Sequence, residues 1–207
     1  MGRCVIVGGA AINNYERMGR YLRESDYNII CDGGLRHLEA LGMIPHLIVG
    51  DFDSHPNPET DVETIVLPCE KDDTDTVFAV KEALRRGFDF FLLIGVAGER
   101  LDHTLGNLSV LQMLHAMGRK AVLLDDYSEM EIVSREPVYV ADSFAYFSLL
   151  NISGTAKGIT VENAKYPLWD AEITCEYQYG ISNEPLPGGS RISVGEGRLL
   201  LVKVYDK

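Results

Sequence analysis

The hydrophobic pattern of the chain changes once along its length, near residue 126, and this change limits the folds that are open to it. Before it, short apolar runs at residues 5–7, 27–31 and 89–94 alternate with segments whose apolar residues recur every three or four positions. That spacing predicts strands alternating with helices. Alternating strands and helices favour a parallel sheet with right-handed crossovers.

Beyond residue 126 the helical spacing disappears. Short runs rich in Val, Ile, Tyr and Thr follow one another, separated by Gly, Pro, Asn and Asp. This pattern is typical of an antiparallel sandwich or barrel. We place the change within residues 126–136 and divide the chain into domains of residues 1–130 and 131–207.

The net charge restricts the possible partners. The 207 residues include 19 Lys and Arg against 31 Asp and Glu, a formal net charge of -12. Nucleic acids and anionic membrane surfaces are held by basic side chains, so neither is expected as a partner. No apolar stretch approaches the ~20 residues of a membrane span, and no signal peptide is evident. We therefore expect a soluble cytoplasmic protein whose acidity serves either solubility or cation binding.

Polar clusters rich in aspartate follow four of the predicted strands. In an open parallel sheet, ligands bind outside the carboxyl ends of the strands, so these clusters predict a site at one edge. The clusters occupy residues 32–34, 50–54, 71–75 and 95–103, and their aspartates are Asp32, Asp51, Asp53, Asp72, Asp73, Asp75 and Asp102.

Asp51 and Asp53 are the first candidate ligands of a metal ion. Alternate residues of an extended segment point the same way, so both carboxylates could reach one Mg²⁺ ion. A plain turn is the alternative for an isolated Asp-x-Asp-Ser sequence. We predict Asp75 as the third metal-facing carboxylate. The division of ligands among these three residues, Asp72 and Asp73 stays open, and either Asp73 or Thr74 is expected to cap the helix that follows.

Basic side chains lie in the same loops. Lys71 is predicted to contact a phosphate, and the Arg100 guanidinium suits two phosphate oxygens, although a surface ion pair with a neighbouring aspartate is the alternative. Asp102 is either an anion at a helix start or a group that orients Arg100 or the substrate. Carboxylates for magnesium, cations for phosphates and glycine loops at helix starts together favour phosphoryl-type transfer.

Taken in order, these motifs resemble those of the thiamine pyrophosphokinase family. The resemblance continues beyond the predicted boundary and spans nearly the whole chain, and its ordered set is far more specific than any single motif. The matching segments are residues 32–34, 50–54, 71–75 and 98–103 with Asn107, then 158–168 and 180–184.

The resemblance implies an α/β fold: a Rossmann-like parallel-sheet domain, then an antiparallel β-sandwich domain. It implies Mg²⁺-dependent transfer of the pyrophosphoryl group of ATP to thiamine, releasing AMP. It also implies a homodimer, with thiamine between the α/β domain of one subunit and the sandwich of the other. Carried over by motif, the site residues are Asp51, Asp53 and Asp75 for the metal and for catalysis, Arg100 and Asp102 for catalysis, Asp32, Lys71, Thr74 and Arg100 for ATP, and Ser182, Asn183 and Tyr166 on the thiamine side.

Several alternatives stay open at this point. Asp102 and Asp32 are both candidates for a general base, and positioning alone could suffice. Tyr166 and Trp169 are candidate aromatic contacts for the thiamine cation, or packing residues. An aspartate-nucleophile phosphatase would share the strand before Asp51, and a sensor of a nucleotide or cationic metabolite is the non-catalytic alternative.

Overall fold

The computed structural model describes residues 2–52, 60–70, 72–98, 100–152 and 154–206. The chain divides into two compact units, Met1–Asp126 and Tyr127–Lys207. Asp53 and Lys71, both predicted site residues, lie outside the described residues. Within the described part, no helix is long and apolar enough to cross a membrane.

The first unit is an α/β fold with a parallel sheet. Its strands lie in the order β4-β3-β2-β1-β5-β6 and pair in parallel, as the alternation of apolar runs predicts. The strands are β1 (Arg3–Val7), β2 (Tyr27–Cys31), β3 (Leu47–Gly50), β4 (Thr64–Val66), β5 (Phe90–Ile94) and β6 (Lys120–Leu124); the helices are α1 (Tyr15–Gly19), α2 (Leu38–Leu41), α3 (Asp75–Arg85) and α4 (Leu101–Ala116), with a 3-10 helix at Asp32–His37.

The central strands are buried because both of their faces are apolar. Every residue of β1, β2 and β5 after the first is buried, as is all of β3. Strands covered on both faces are typical of parallel sheets between helices. The carboxyl ends of these strands consequently meet at one edge, where their loops can form a common site.

Apolar residues recur at helical spacing over residues 15–24 and predict one helix there, but α1 is shorter. It ends at Gly19, and the carbonyl oxygen of Tyr21 instead accepts a hydrogen bond from Arg3 Nη2 at 2.6 Å. The contact from Arg3 joins residues 18 positions apart, and the local apolar spacing does not report it.

The spacing of Leu35, Leu38 and Leu41 predicts a short helix that ends at Gly42. Helix α2 does end there, but a 3-10 helix beginning at Asp32 precedes it.

The second unit is a β-sandwich. Strand β13 pairs antiparallel with β7 and β9, and the other strands form an antiparallel sheet in the order β11-β10-β12-β8. Side chains from both groups of strands, including Val133, Phe147, Ile159 and Ile192, share one buried core. The strands are β7 (Ser128–Val133), β8 (Val138–Val140), β9 (Phe144–Leu150), β10 (Thr155–Glu162), β11 (Leu168–Thr174), β12 (Ser190–Ser193) and β13 (Leu199–Tyr205).

The division between the units follows Asp126, at the start of the interval 126–136 given from the sequence and before the domain bound placed at residue 130. A boundary at residue 130 would cut β7, whose residues from Ser128 to Val133 pair with β13 in continuous register. The compact unit therefore begins at Tyr127. The apolar run that marks β7 in the sequence is only its second half, because Ser128 and Glu129 are buried polar residues.

Candidate functional site

A cavity of about 320 Å³ lies in the first unit, where the loops after β1, β2 and β5 meet the start of α3. It occupies the edge at which the aspartate clusters were predicted. Its lining combines backbone of glycine-rich loops with acidic and basic side chains. The lining residues are Gly8, Gly9, Ala10, Cys31, Asp32, Gly33, Arg36, Thr74, Asp75, Thr76, Gly95, Val96, Gly98, Arg100, His103 and Asn107.

Three carboxylates converge at this edge. One oxygen from each of Asp32, Asp51 and Asp75 lies within 4.8 Å of the other two. Asp32 is only 5% exposed, and its Oδ1 atom has no hydrogen-bond partner among the described residues. A buried acceptor beside like charges is costly unless a cation is bound, so the donor set suits a hard divalent cation such as Mg²⁺.

The geometry of the Asp51 loop differs from the extended segment assumed for the pair Asp51 and Asp53. Phe52 has a φ of 58°, in the left-handed region that bulky residues rarely adopt. The alternation of an extended strand therefore does not hold through Phe52. Asp32, from the loop after β2, stands beside Asp51 and Asp75 in the cluster, and Asp53 lies outside the described residues.

The start of α3 shows which of Asp73 and Thr74 caps the helix. The Thr74 hydroxyl accepts a hydrogen bond from Val77 N at 3.3 Å, so Thr74 is the N-cap. Asp73 is ion-paired with Lys81 at 2.6 Å. Thr74 also lines the cavity, and Asp75, the first residue of α3, belongs to the carboxylate cluster.

Arg100 lines the cavity and is paired with Asp102. Arg100 Nη2 lies 2.7 Å from Asp102 Oδ2, in an exposed ion pair. The hydrogen bond from Arg100 lowers the pKa of Asp102 to about 2. A carboxylate with so low a pKa is a weak proton acceptor, so this pairing favours an orienting role for Asp102 over that of general base.

Arg36 is a further basic residue of the cavity, and it is not among the predicted site residues. It lies in the same 3-10 helix as Asp32, and its Nε donates to the carbonyl oxygen of Gly33 at 2.7 Å. Its position in the segment after β2, at the carboxyl edge of the sheet, was the available signal. With Arg36 and Arg100, two guanidinium groups line one cavity beside the acidic cluster.

Two glycines allow the close backbone packing around the cavity. A Cβ atom at Gly8 would lie 2.6 Å from the carbonyl oxygen of Gly95, and one at Gly50 would lie 2.8 Å from the Cβ of Asp32. Neither distance is compatible with a side chain, so Gly8 and Gly50 are required for these approaches. Gly50 in particular allows Asp32 to lie against the end of β3.

The predicted thiamine-side residues lie in the second unit. Asn183 is buried, and its side chain binds the backbone of Tyr166, accepting from Tyr166 N at 3.0 Å and donating to Tyr166 O at 2.7 Å. The Tyr166 side chain is exposed, as is that of Trp169. Ser182 has a φ of 57°, and its N–H donates to Ser148 Oγ. Asn183 therefore has a structural role here, besides any ligand contact.

The fold and the acidic cavity define an α/β protein with a site suited to a divalent cation and a phosphorylated ligand, followed by a β-sandwich. Two family models match the chain in order: "Thiamin pyrophosphokinase, catalytic domain" over residues 18–123 and "Thiamin pyrophosphokinase, vitamin B1 binding domain" over residues 130–199. The chain belongs to the thiamine pyrophosphokinase family.

Individual relatives agree with this assignment over the full length. The thiamine pyrophosphokinase of Bacillus subtilis (strain 168) is 29% identical over 97% of this chain and 98% of its own length. A crystal structure of the enzyme from Bacillus subtilis superposes with a TM-score of 0.88 at 26% identity, covering 99% of this chain and 100% of that one. The thiamin pyrophosphokinase from Geobacillus thermodenitrificans gives 0.85 at 27% identity, covering 99% and 98%.

Proposed function

We propose that the chain is a Mg²⁺-dependent thiamine pyrophosphokinase that transfers the pyrophosphoryl group of ATP to thiamine and releases AMP. The observation that carries the proposal is the convergence of Asp32, Asp51 and Asp75 at the edge of a cavity that Arg36 and Arg100 also line. Family membership supports the choice of acceptor, since the second matched model describes a vitamin B1 binding domain.

The acidic cluster is the proposed metal site. Asp32, Asp51 and Asp75 would hold Mg²⁺, with Asp53 as a further proposed ligand from the same loop as Asp51. When bound, the ion would neutralise phosphate charge and orient the phosphate chain. The buried acceptor of Asp32 and the crowding of three carboxylates fit such an ion better than an unliganded surface cluster.

The basic residues are proposed to position the nucleotide. The transferred group carries negative charge over several oxygens, which Arg100 and Lys71 would stabilise together with backbone N–H groups of the glycine loops. Thr74, whose hydroxyl caps α3, would present the helix start to the same charge. Asp102 holds the Arg100 guanidinium before the nucleotide binds.

The reaction proposed here makes one bond and breaks one. The hydroxyethyl oxygen of thiamine bonds to the β-phosphorus of ATP, the bond from that phosphorus to the oxygen bridging to the α-phosphate breaks, and AMP leaves with that oxygen. The hydroxyl proton passes to the solvent in the same exchange. Because Asp102 has a pKa of about 2 while it pairs with Arg100, the proposal gives the main role to positioning of the two reactants.

We place thiamine between the α/β unit of one subunit and the sandwich of the other in a homodimer. Tyr166, Ser182 and Asn183 are the proposed thiamine-side residues. The sandwich unit exposes several large aromatic side chains, Tyr166 and Trp169 among them, and exposed aromatics of this kind are enriched at subunit interfaces. Sedimentation equilibrium should give twice the 23.0 kDa chain mass; a monomer with full turnover would overturn this arrangement.

The product of the reaction is the direct test of the proposed activity. Purified protein incubated with thiamine, ATP and MgCl₂ should form thiamine diphosphate and AMP in equal amounts, as resolved by anion-exchange chromatography. Excess EDTA should abolish turnover, and added Mg²⁺ should restore it, because the acidic cluster cannot accept the phosphates without a cation.

Other products would distinguish the alternatives. ADP with thiamine monophosphate would contradict pyrophosphoryl transfer. Release of inorganic phosphate with a phosphorylated Asp51 would identify the phosphatase, since that mechanism forms an acyl phosphate on the aspartate. Tight binding of thiamine without any turnover would identify the sensor.

A further inference from the structure

We propose that His37 is a positioning residue for the nucleotide, acting through the loop at residues 8–10. The inference rests on the proposed function, because that loop forms one wall of the cavity assigned to ATP. His37 does not line the cavity. It lies behind it, at the end of the 3-10 helix that begins with Asp32.

Both ring nitrogens of His37 are hydrogen-bonded, and the residue is only 2% exposed. Nδ1 lies 2.8 Å from the Tyr15 hydroxyl, and Nε2 lies 3.0 Å from the carbonyl oxygen of Ala10. Burial lowers the pKa of His37, a trend that the hydrogen bond to Ala10 partly opposes, so the neutral ring is favoured. The ring thus joins α1 to the cavity wall.

The two contacts select one tautomer of the neutral ring. A carbonyl oxygen only accepts, so Nε2 must carry the hydrogen and donate to Ala10. Nδ1 is then an acceptor, and the Tyr15 hydroxyl must donate to it. The opposite tautomer would place two lone pairs against each other at Ala10. Tyr15 therefore maintains the form of His37 that holds the loop.

The loop is fixed from two sides. The N–H of Ala10 donates to Gly95 O at 2.8 Å, and the N–H of Gly8 donates to Ile94 O at 2.9 Å, which binds the loop to the end of β5. On the other side its described polar contact is the bond from His37 to Ala10 O. Loss of that bond would leave the wall free to move away from the 3-10 helix that carries Asp32.

The experiment compares two substitutions that keep different halves of the imidazole. Glutamine places an amide N–H close to the position of Nε2, whereas asparagine reaches only the position of Nδ1. We expect His37→Asn to raise KM for ATP about tenfold, with kcat and KM for thiamine within about threefold of wild type. His37→Gln should restore KM for ATP to within about threefold, because it can still donate to Ala10. The matched control is His46→Asn, an exposed histidine before β3.

The outcomes separate this role from a purely structural one. Folding of the His37→Asn protein is checked by circular dichroism. If the folded protein has an unchanged KM for ATP, the proposal is overturned. It is also overturned if kcat falls and both KM values rise to a similar extent. Should His37→Asn fail to fold, Tyr15→Phe decides: a KM for ATP raised about threefold supports the proposal, and an unchanged value overturns it. An inactive wild-type protein would instead contradict the proposed function itself.

Discussion

Replacing Asp32 by asparagine should lower kcat/KM about 10³-fold while leaving the protein at least as stable as the wild type in the absence of magnesium. The loss follows from removing one of three clustered carboxylates, whose cation is worth several kcal/mol to a phosphoryl transfer, and about 4 kcal/mol corresponds to that factor. Stability should not fall, because Asp32 Oδ1 is buried without a partner among the described residues.

The effect of magnesium on the melting temperature is a second test of the role of Asp32. A cation that binds only the folded state raises the melting temperature by mass action. We expect MgCl₂ to stabilise the wild type and to stabilise Asp32→Asn much less, as measured by differential scanning fluorimetry at several concentrations. Glu39→Gln, which removes an exposed carboxylate from α2, is the matched control and should behave as wild type in both assays.

Two results would contradict this role for Asp32. Unchanged turnover and an unchanged response to magnesium would remove Asp32 from the site. A loss of activity together with a melting temperature several degrees lower would show that the side chain mainly supports the fold. In the second case the Asp51→Asn and Asp75→Asn proteins would show whether the rest of the cluster binds the ion.

Replacing Asp26 by asparagine should destabilise the first unit by about 3–5 kcal/mol. Asp26 forms a bidentate pair with Arg3, with Nε to Oδ1 at 2.7 Å and Nη2 to Oδ2 at 2.6 Å. The exposed fractions of the two side chains are 9% for Arg3 and 1% for Asp26. Asparagine would leave the guanidinium buried without its counter-charge, and the cost of that unpaired charge sets the expected loss.

Urea unfolding with an exposed ion pair as control tests the magnitude. Glu16 and Arg20 form a pair whose side chains are 81% and 71% exposed, so Glu16→Gln should change the free energy of unfolding by less than about 1 kcal/mol. A similarly small change for Asp26→Asn would contradict the prediction. The double variant Arg3→Met, Asp26→Leu should recover much of the loss, because replacing both partners removes the unpaired charge.

The central strands of the first unit were predictable because burial on both faces leaves a direct mark in the sequence. Residues 27–31 are the clearest example, since the predicted run and β2 coincide. Helix α1 was not predictable in length, because the bond from Arg3 to Tyr21 O joins residues 18 positions apart. Apolar spacing reports which face of a segment is buried, but not which distant group binds its backbone.

The candidate site was also predictable only in part. Parallel strands bring their carboxyl ends to one edge, so the edge and its aspartates could be inferred from their positions after the strands. Which carboxylates converge depends on backbone geometry inside the loops. The close approach that Gly50 allows places Asp32 against the end of β3, where it joins Asp51 and Asp75 in the cluster, and the sequence alone does not report this approach.

The sequence by itself determined the class of the fold and the edge of the sheet that holds the site, because strand burial and loop order are properties of residues close together in the chain. Only the tertiary structure decided that Asp32 joins the acidic cluster, that Arg36 lines the cavity and that His37 holds the loop at Ala10. The physical reason is that each of these contacts joins side chains and backbone from separate loops at distances of a few ångströms, and such distances are fixed only when the whole unit packs.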